Sequence, residues 1–279
     1  MARKVWFITG CSTGFGRALA QLTLSLGHPT VITARNPAQV QDLAAAHPEL
    51  ALVLQLDVTE PAQITAAVAA AVARFGTIDV LVNNAGIGYF GSFEETELAE
   101  ARRMFEINVW GLAETTRAVL PLLRRQRSGT IVNLSSIAGI AGFPGLSFYN
   151  ASKFAVEALS EALSQEVAPL GIRVLLVEPG PFRTDWAGRS ANQAPETVPE
   201  YQDTAVARNR QIRGLSGRQP GDPARAAAAI VQMVEAPEPP LRLLLGKAAL
   251  RAARLKLAAL HKDFDGWVEV TEGADFPPE

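Results

Sequence analysis

Seven short apolar runs, at residues 5–9, 30–34, 51–56, 80–82, 131–134, 172–177 and 241–245, alternate along this chain with stretches of helical periodicity. The cores of these runs are nearly continuous in apolar residues rather than alternating apolar and polar. That pattern belongs to strands of a parallel sheet covered on both faces. Between them, residues 14–26 are read as a helix, and Asn36-Pro37 as an N-cap with proline in the first turn. Ile64, Ala67, Val68, Ala71, Val72 and Phe75 form one stripe at helical spacing. Helices are also expected at 98–109, at 112–125, from Tyr149 to about residue 168, and after Asp222-Pro223. Strand–helix alternation of this kind predicts a doubly wound α/β fold, with ligands at the carboxyl ends of the strands.

At 279 residues the chain is read as a single domain spanning 1–279. Two segments depart from the pattern. Residues 183–220 are polar, with Pro195, Pro199 and several glycines, and are read as a substrate lid. Residues 247–279 form a helical extension in which Leu250, Ala253, Leu257, Leu260, Phe264 and Trp267 step by three and four. This apolar seam is expected to dock on its own domain or on a second subunit rather than on a membrane surface.

Charge and composition exclude several functions. The net charge is −2, from 26 basic and 28 acidic residues, and no basic block marks a nucleic-acid partner. Cys11 is the only cysteine, which rules out an internal disulfide framework and fits a reducing cytoplasm. His28, His47 and His261 are scattered without metal-ligand spacing, so no metal is expected. No apolar run approaches the roughly 18 residues of a membrane span. The run after Arg3-Lys4 is too short for a signal-peptide core. A soluble cytoplasmic protein is the expectation.

The first strand leads into Thr9-Gly10-Cys11-Ser12-Thr13-Gly14-Phe15-Gly16. Between a strand and a helix, such glycines let backbone approach a pyrophosphate, which then rests on the helix N-terminus. Gly10, Ser12, Thr13, Gly14, Phe15 and Gly16 are therefore candidate dinucleotide contacts, with Cys11 a small packing residue. In NAD-binding domains an acidic residue about 20 positions after the glycines receives the ribose 2′-hydroxyl. Here Ala34 and then Arg35 stand there. A guanidinium forks onto phosphate oxygens, so NADP is favoured, with NAD the alternative. Asp57-Val58 is read as facing the adenine, and Asn83-Asn84-Ala85-Gly86 as the cofactor floor, with Asn84, Ala85 and Gly86 in contact.

Tyr149 and Lys153 are four apart and share a helix face, and Ser136 lies thirteen residues before the tyrosine. A free phenol has a pKa of about 10, and a neighbouring ammonium is expected to lower it. Tyr149 then serves as base for alcohol oxidation and as acid for carbonyl reduction. Ser136 would hold the substrate oxygen, Lys153 would also meet the nicotinamide ribose, and Asn108 would hold a water that links Lys153 to solvent. Phe90, Ile140, Phe143, Phe148 and Trp186, with the lid, are expected to wall an apolar substrate site. No arginine clamp is evident near Ser136, and Arg183 and Arg189 lie in or near the lid.

Together these motifs resemble the short-chain dehydrogenase/reductase family, in its compact single-domain form. The resemblance runs continuously from about residue 5 to 184 and rests on residues 9–16, 83–86, Asn108, Ser136, Tyr149, Lys153 and Pro179-Gly180-x3-Thr184. It implies a seven-stranded parallel sheet and a catalytic Asn108, Ser136, Tyr149, Lys153 tetrad. It also implies that Thr184 contacts the nicotinamide carboxamide, with Pro179 and Gly180 beside the ring. The activity implied is NADP(H)-dependent interconversion of a hydrophobic secondary alcohol and its ketone or aldehyde. The alternatives are an NAD-dependent alcohol dehydrogenase and a non-catalytic NADPH sensor. Family members pair through the helices that correspond to 112–125 and 150–168. The chain lacks the glycine-rich segment that many tetrameric members carry after the last strand, so a homodimer is expected rather than a tetramer.

Overall fold

The computed structural model describes residues 3–188 and 190–276. In chain order the elements are β1 (Trp6–Ile8), α1 (Gly14–Ser25), β2 (Thr30–Ala34), α2 (Gln41–Ala45), β3 (Ala51–Gln55) and α3 (Pro61–Phe75). There follow β4 (Val80–Asn83), β5 (Gly88–Phe90), α4 (Leu98–Phe105), α5 (Gly111–Gln126), β6 (Gly129–Leu134) and α6 (Ser147–Val167). The last are β7 (Ile172–Pro179), β8 (Ala191–Gln193), α7 (Ala207–Gly214), α8 (Pro223–Glu235), β9 (Arg242–Leu245), α9 (Lys247–Asp265) and α10 (Val268–Glu272).

Seven strands form one sheet in the order β3-β2-β1-β4-β6-β7-β9, and every pairing is parallel. The chain runs outward from β1 to β3 and then returns to the other side of β1 as β4. The carboxyl ends of β1 and β4 are therefore the topological switch point, where crevices form in open α/β sheets. Alternate residues of each strand enter different cores. Trp6 and Ile8 pack towards α1 and α8 with Leu19, Leu24, Ile230 and Val234. Phe7 packs the other way, with Ile64, Ala71, Val119 and Leu123 of α3 and α5. Both faces are covered, as the unbroken apolar runs predict. The cap at Asp222 is present too, its carboxylate accepting from Ala224 N at 2.8 Å before Pro223.

Four features depart from the sequence expectations. The helices expected at 98–109 and 112–125 are continuous through a π turn at Glu106–Trp110. Gly111 does not end a helix there. A Cβ on it would come within 2.6 Å of Val58 Cγ2, so it is small because α5 passes close to the end of β3. A second sheet, parallel β5–β8, joins the loop after β4 to the segment expected to be an irregular lid. That lid segment is largely structured, with single turns at Asp185–Ala187 and Pro199–Tyr201, a π turn at Gln202–Val206, and α7. It is tied down by Val198 N donating to Glu95 Oε1 at 2.8 Å and by Arg213 lying over Phe90. Finally, α9 docks on its own domain only through its first turns, where Ala249 and Ala253 are buried. Leu250, Leu257, Phe264 and Trp267 of the expected seam are exposed.

Candidate active site

A cleft of about 680 Å³ opens at the switch point. Gly10, Ser12, Thr13, Gly14 and Phe15 line one end of it. Gly10 and Gly14 have φ of +71° and +59°, in the left-handed region that favours glycine. Gly16 lies outside the lining and acts by closeness, since a Cβ there would fall 2.4 Å from Asn84 Nδ2 and 2.5 Å from Gly10 O. Asn84 binds the loop to the end of β4, donating through Nδ2 to Thr9 O at 2.9 Å and Gly10 O at 2.8 Å. Thr9 Oγ1 accepts from the backbone N–H groups of Asn84 and Ala85. Asn83 instead turns into the core and donates to Thr116 and Asn133. The two asparagines, both read as cofactor floor, thus divide between the cleft floor and the sheet interior. Cys11 is fully buried, and burial pushes its thiol up to about 12, so it packs rather than reacts.

Ala34, Arg35, Asp57 and Val58 line the cleft at the ends of β2 and β3. Arg35 is exposed at the rim. Asp57 Oδ1 accepts from Thr59 N at 3.0 Å and Thr59 Oγ1 at 2.8 Å, a local turn that sets the carboxylate at the cleft edge. Ala85, Gly86, Pro179, Gly180 and Thr184 also line the cleft. Gly180 is fixed by its N–H donating to Leu245 O at 3.0 Å.

Ser136 follows β6 and caps a short turn, its Oγ accepting from Ala138 N at 3.1 Å. Tyr149 and Lys153 sit in the first two turns of α6, both buried, and all three line the cleft. Lys153 Nζ donates to Leu134 O at 2.7 Å and lies 5.8 Å from the centre of the Tyr149 ring. The Trp186 ring lies 4.8 Å from Tyr149 and covers it. Burial pushes the Tyr149 phenol up to about 12, with a hydrogen bond from Ser136 acting the other way. Burial draws Lys153 down to about 8, opposed by the Glu157 carboxylate one turn further along α6. The expectation that the ammonium lowers the phenol is therefore outweighed here, because desolvation dominates and the ammonium is directed to a carbonyl. At neutral pH the site holds a neutral phenol beside a cation.

Asn108 lies in the π turn, behind the cleft wall and outside its lining. Its Oδ1 accepts from Ile87 N at 2.9 Å, and its Nδ2 donates to Ile87 O at 3.0 Å and Ser152 Oγ at 3.2 Å. The side chain braces the post-β4 loop against α6. These bonds use both amide hydrogens and one of the two lone pairs of Oδ1.

The other half of the cleft sets apolar side chains beside polar ones, Asp185, Ser190, Asn192 and Gln211 among them. Of the expected wall residues, Phe143 and Trp186 line it. Phe90 is fully buried beneath Trp186, at 5.4 Å between rings, and Phe148 stacks on Phe93 at 5.2 Å. Ile140 also stays outside the lining. Gly88 makes room for Trp186, since a Cβ there would meet the indole at 2.9 Å. Leu146, Phe182, Ile212, Leu215 and Gln219 join the wall, and so do Arg103 and Arg208. Arg208 lies over the Phe143 ring at 5.5 Å and donates to Gln211. The helical spacing of Arg208, Ile212 and Leu215 was the available signal for these lid residues. Arg183 donates to Gln219 O at 3.3 Å, and Arg189 lies outside the described residues. No cluster of metal-binding side chains occurs among the described residues.

Comparison with known proteins agrees with this fold. The short chain dehydrogenase family profile matches residues 4–195. An oxidoreductase of Botryotinia fuckeliana is 39% identical over 269 residues, covering 96% of this chain and 98% of the relative. A short-chain dehydrogenase from Streptomyces avermitilis superposes with a TM-score of 0.92 at 44% identity, covering 99% of this chain and 100% of that one. A short-chain dehydrogenase/reductase from Burkholderia phymatum, in complex with NAD, superposes with a TM-score of 0.80 at 26% identity, covering 99% and 98%.

Proposed function

The chain belongs to the short-chain dehydrogenase/reductase family and is an NAD(P)-dependent oxidoreductase; on that premise we propose that it uses NADP(H) to interconvert a hydrophobic secondary alcohol and its ketone or aldehyde. The observation that carries this reading is the buried Ser136, Tyr149, Lys153 cluster, set between a left-handed glycine cradle and an apolar wall.

The residues present fit a dinucleotide. A side chain at Gly10, Gly14 or Gly16 would strain or fill the cradle that the pyrophosphate requires. Residues 10–16 would hold the pyrophosphate, Asp57 and Val58 the adenine, and Asn84, Ala85 and Gly86 the floor. Pro179, Gly180 and Thr184 would hold the nicotinamide end. Once bound, the nicotinamide supplies or accepts the hydride. Ser136 would orient the substrate oxygen. In reduction, Tyr149 Oη gives its proton to the carbonyl oxygen as hydride reaches the carbon, and in oxidation it takes the proton back. Lys153 stabilises the phenolate that remains, and Asn108 acts by fixing Ile87 and Ser152. Trp186 and the lid exclude water from the reacting oxygen. The domain is one catalytic unit, residues 183–220 its lid and 247–279 its extension.

Two outcomes follow. Reduction needs the phenol and the Lys153 cation together, and the cation is present below about 8. The reduction rate should therefore hold level up to that pH and fall above it, while oxidation should rise with pH as phenolate becomes accessible. Lys153→Arg should carry the falling limb to higher pH. A reduction profile that keeps climbing into alkali contradicts these roles.

The NADP preference rests on Arg35 and on the missing acidic residue at Ala34. Arg35→Asp should lower kcat/KM for NADPH by about 10- to 100-fold, the equivalent of about one charged hydrogen bond. The variant should gain relative activity with NADH. Unchanged affinity for NADPH would remove the argument.

No helix among the described residues is long and apolar enough to cross a membrane, and a cytoplasmic location is part of the proposal. So is a homodimer through α5 and α6, where Trp110, Phe154 and Leu159 are exposed near or on these helices.

A further inference from the structure

Past Ala253, α9 leaves the body of the protein. Ala249 and Ala253 are its buried positions, and every residue from His261 to Phe276 is exposed. The apolar stripe nevertheless continues past the last contact. Ala253, Leu257, Leu260 and Phe264 follow one another on α9 at steps of four, three and four, and Trp267 stands in the link to α10. Leu257, Phe264 and Trp267 are 55%, 64% and 67% exposed. A helix with an apolar stripe and no neighbour lacks the packing that normally stabilises it.

The charges indicate what covers the stripe. Residues 247–262 carry Lys247, Arg251, Arg254, Lys256 and Lys262 and no carboxylate. Residues 263–275 carry Asp263, Asp265, Glu269, Glu272 and Asp275 and no lysine or arginine. On α9 the charges nearest Leu260 mirror one another about it. Lys256 stands four before it and Asp263 three after; Arg254 stands six before and Asp265 five after. The apolar residues Leu257 and Phe264 mirror as well.

We propose that α9 and α10 form an antiparallel two-fold contact with the same segment of a second copy of this chain, centred on Leu260. In that arrangement Arg254 and Lys256 of each copy lie along Asp265 and Asp263 of the other, and Phe264 of one copy meets the Leu257 region of the other. The contact is isologous, so each pairing occurs twice. A parallel pairing would set like charges against like. An anionic lipid surface would attract the first half and repel the second. The residues differ from those of the α5–α6 face. Used together, the two faces join dimers into a tetramer, in place of the glycine-rich segment through which the tetramer was discounted.

The test is the mass of the full-length protein in solution, by light scattering. Phe264→Glu with Trp267→Glu should halve the mass. Lys256→Glu alone and Asp263→Lys alone should each reduce it, because each sets like charges together twice. The combined charge variant restores opposite signs across the two-fold and should return the wild-type mass. Unchanged far-UV circular dichroism confirms that each variant is folded. A mass that the apolar pair does not change, or a combined variant no better than the single ones, overturns the proposal. Trp110→Glu, on the other face, reports separately on the α5–α6 dimer.

Discussion

Tyr149→Phe is expected to lower kcat/KM by about 10²- to 10⁴-fold, the usual contribution of a positioned acid–base group, and to leave dinucleotide affinity unchanged. The substitution removes only Oη. The ring keeps its contact with Trp186 at 4.8 Å and its place near Lys153, so the cleft wall and α6 stay as they are. Without Oη no group that lines the cleft beside Ser136 can deliver a proton in line with the hydride, because Lys153 is directed to Leu134 O. The loss should appear in kcat more than in KM, since the proton moves in the transition state. Steady-state kinetics on both proteins, with cofactor titration by fluorescence, checks it. A variant with near wild-type turnover would place the acid elsewhere.

Phe7→Ala is expected to cost about 3–5 kcal/mol of stability. Phe7 is fully buried on the central strand β1, paired to both β2 and β4, and it joins α3 and α5 to the sheet. Both neighbouring strands are hydrogen-bonded in place, so the cavity has little freedom to collapse. At about 2–4 °C for each kcal/mol in larger domains, the melting temperature should fall by roughly 10 °C. Denaturant titration and thermal melts of the two proteins measure it. A loss below about 1 kcal/mol would mean that the core relaxes around the site.

The seven strands of the main sheet were legible because a strand buried on both faces needs an unbroken apolar run, and few other structures do. β5 and β8 were not, since Gly88-Tyr89-Phe90 and Ala191-Asn192-Gln193 owe their extended form to pairing across about a hundred residues. Gly111 misled for a related reason. A glycine in a helix pattern reads as a boundary, whereas here it admits Val58. The motif residues of the site were legible because most lie at strand ends, and a doubly wound sheet brings strand ends together. What depends on the surroundings was not. The phenol of Tyr149 rises because Trp186 and the lid bury it, and the position of Trp186 depends on Gly88. Phe90 and Phe148 read as wall residues by composition, yet their neighbours turn them into packing.

The central claim is a Tyr149-dependent reduction driven by NADPH. The direct measurement is the loss of reduced-nicotinamide absorbance when the enzyme meets a panel of apolar ketones and aldehydes, with NADPH and NADH in parallel. The prediction is turnover on at least one apolar carbonyl, faster with NADPH and absent in Tyr149→Phe. Tight NADPH binding with no turnover across the panel, or turnover that survives in Tyr149→Phe, would contradict it.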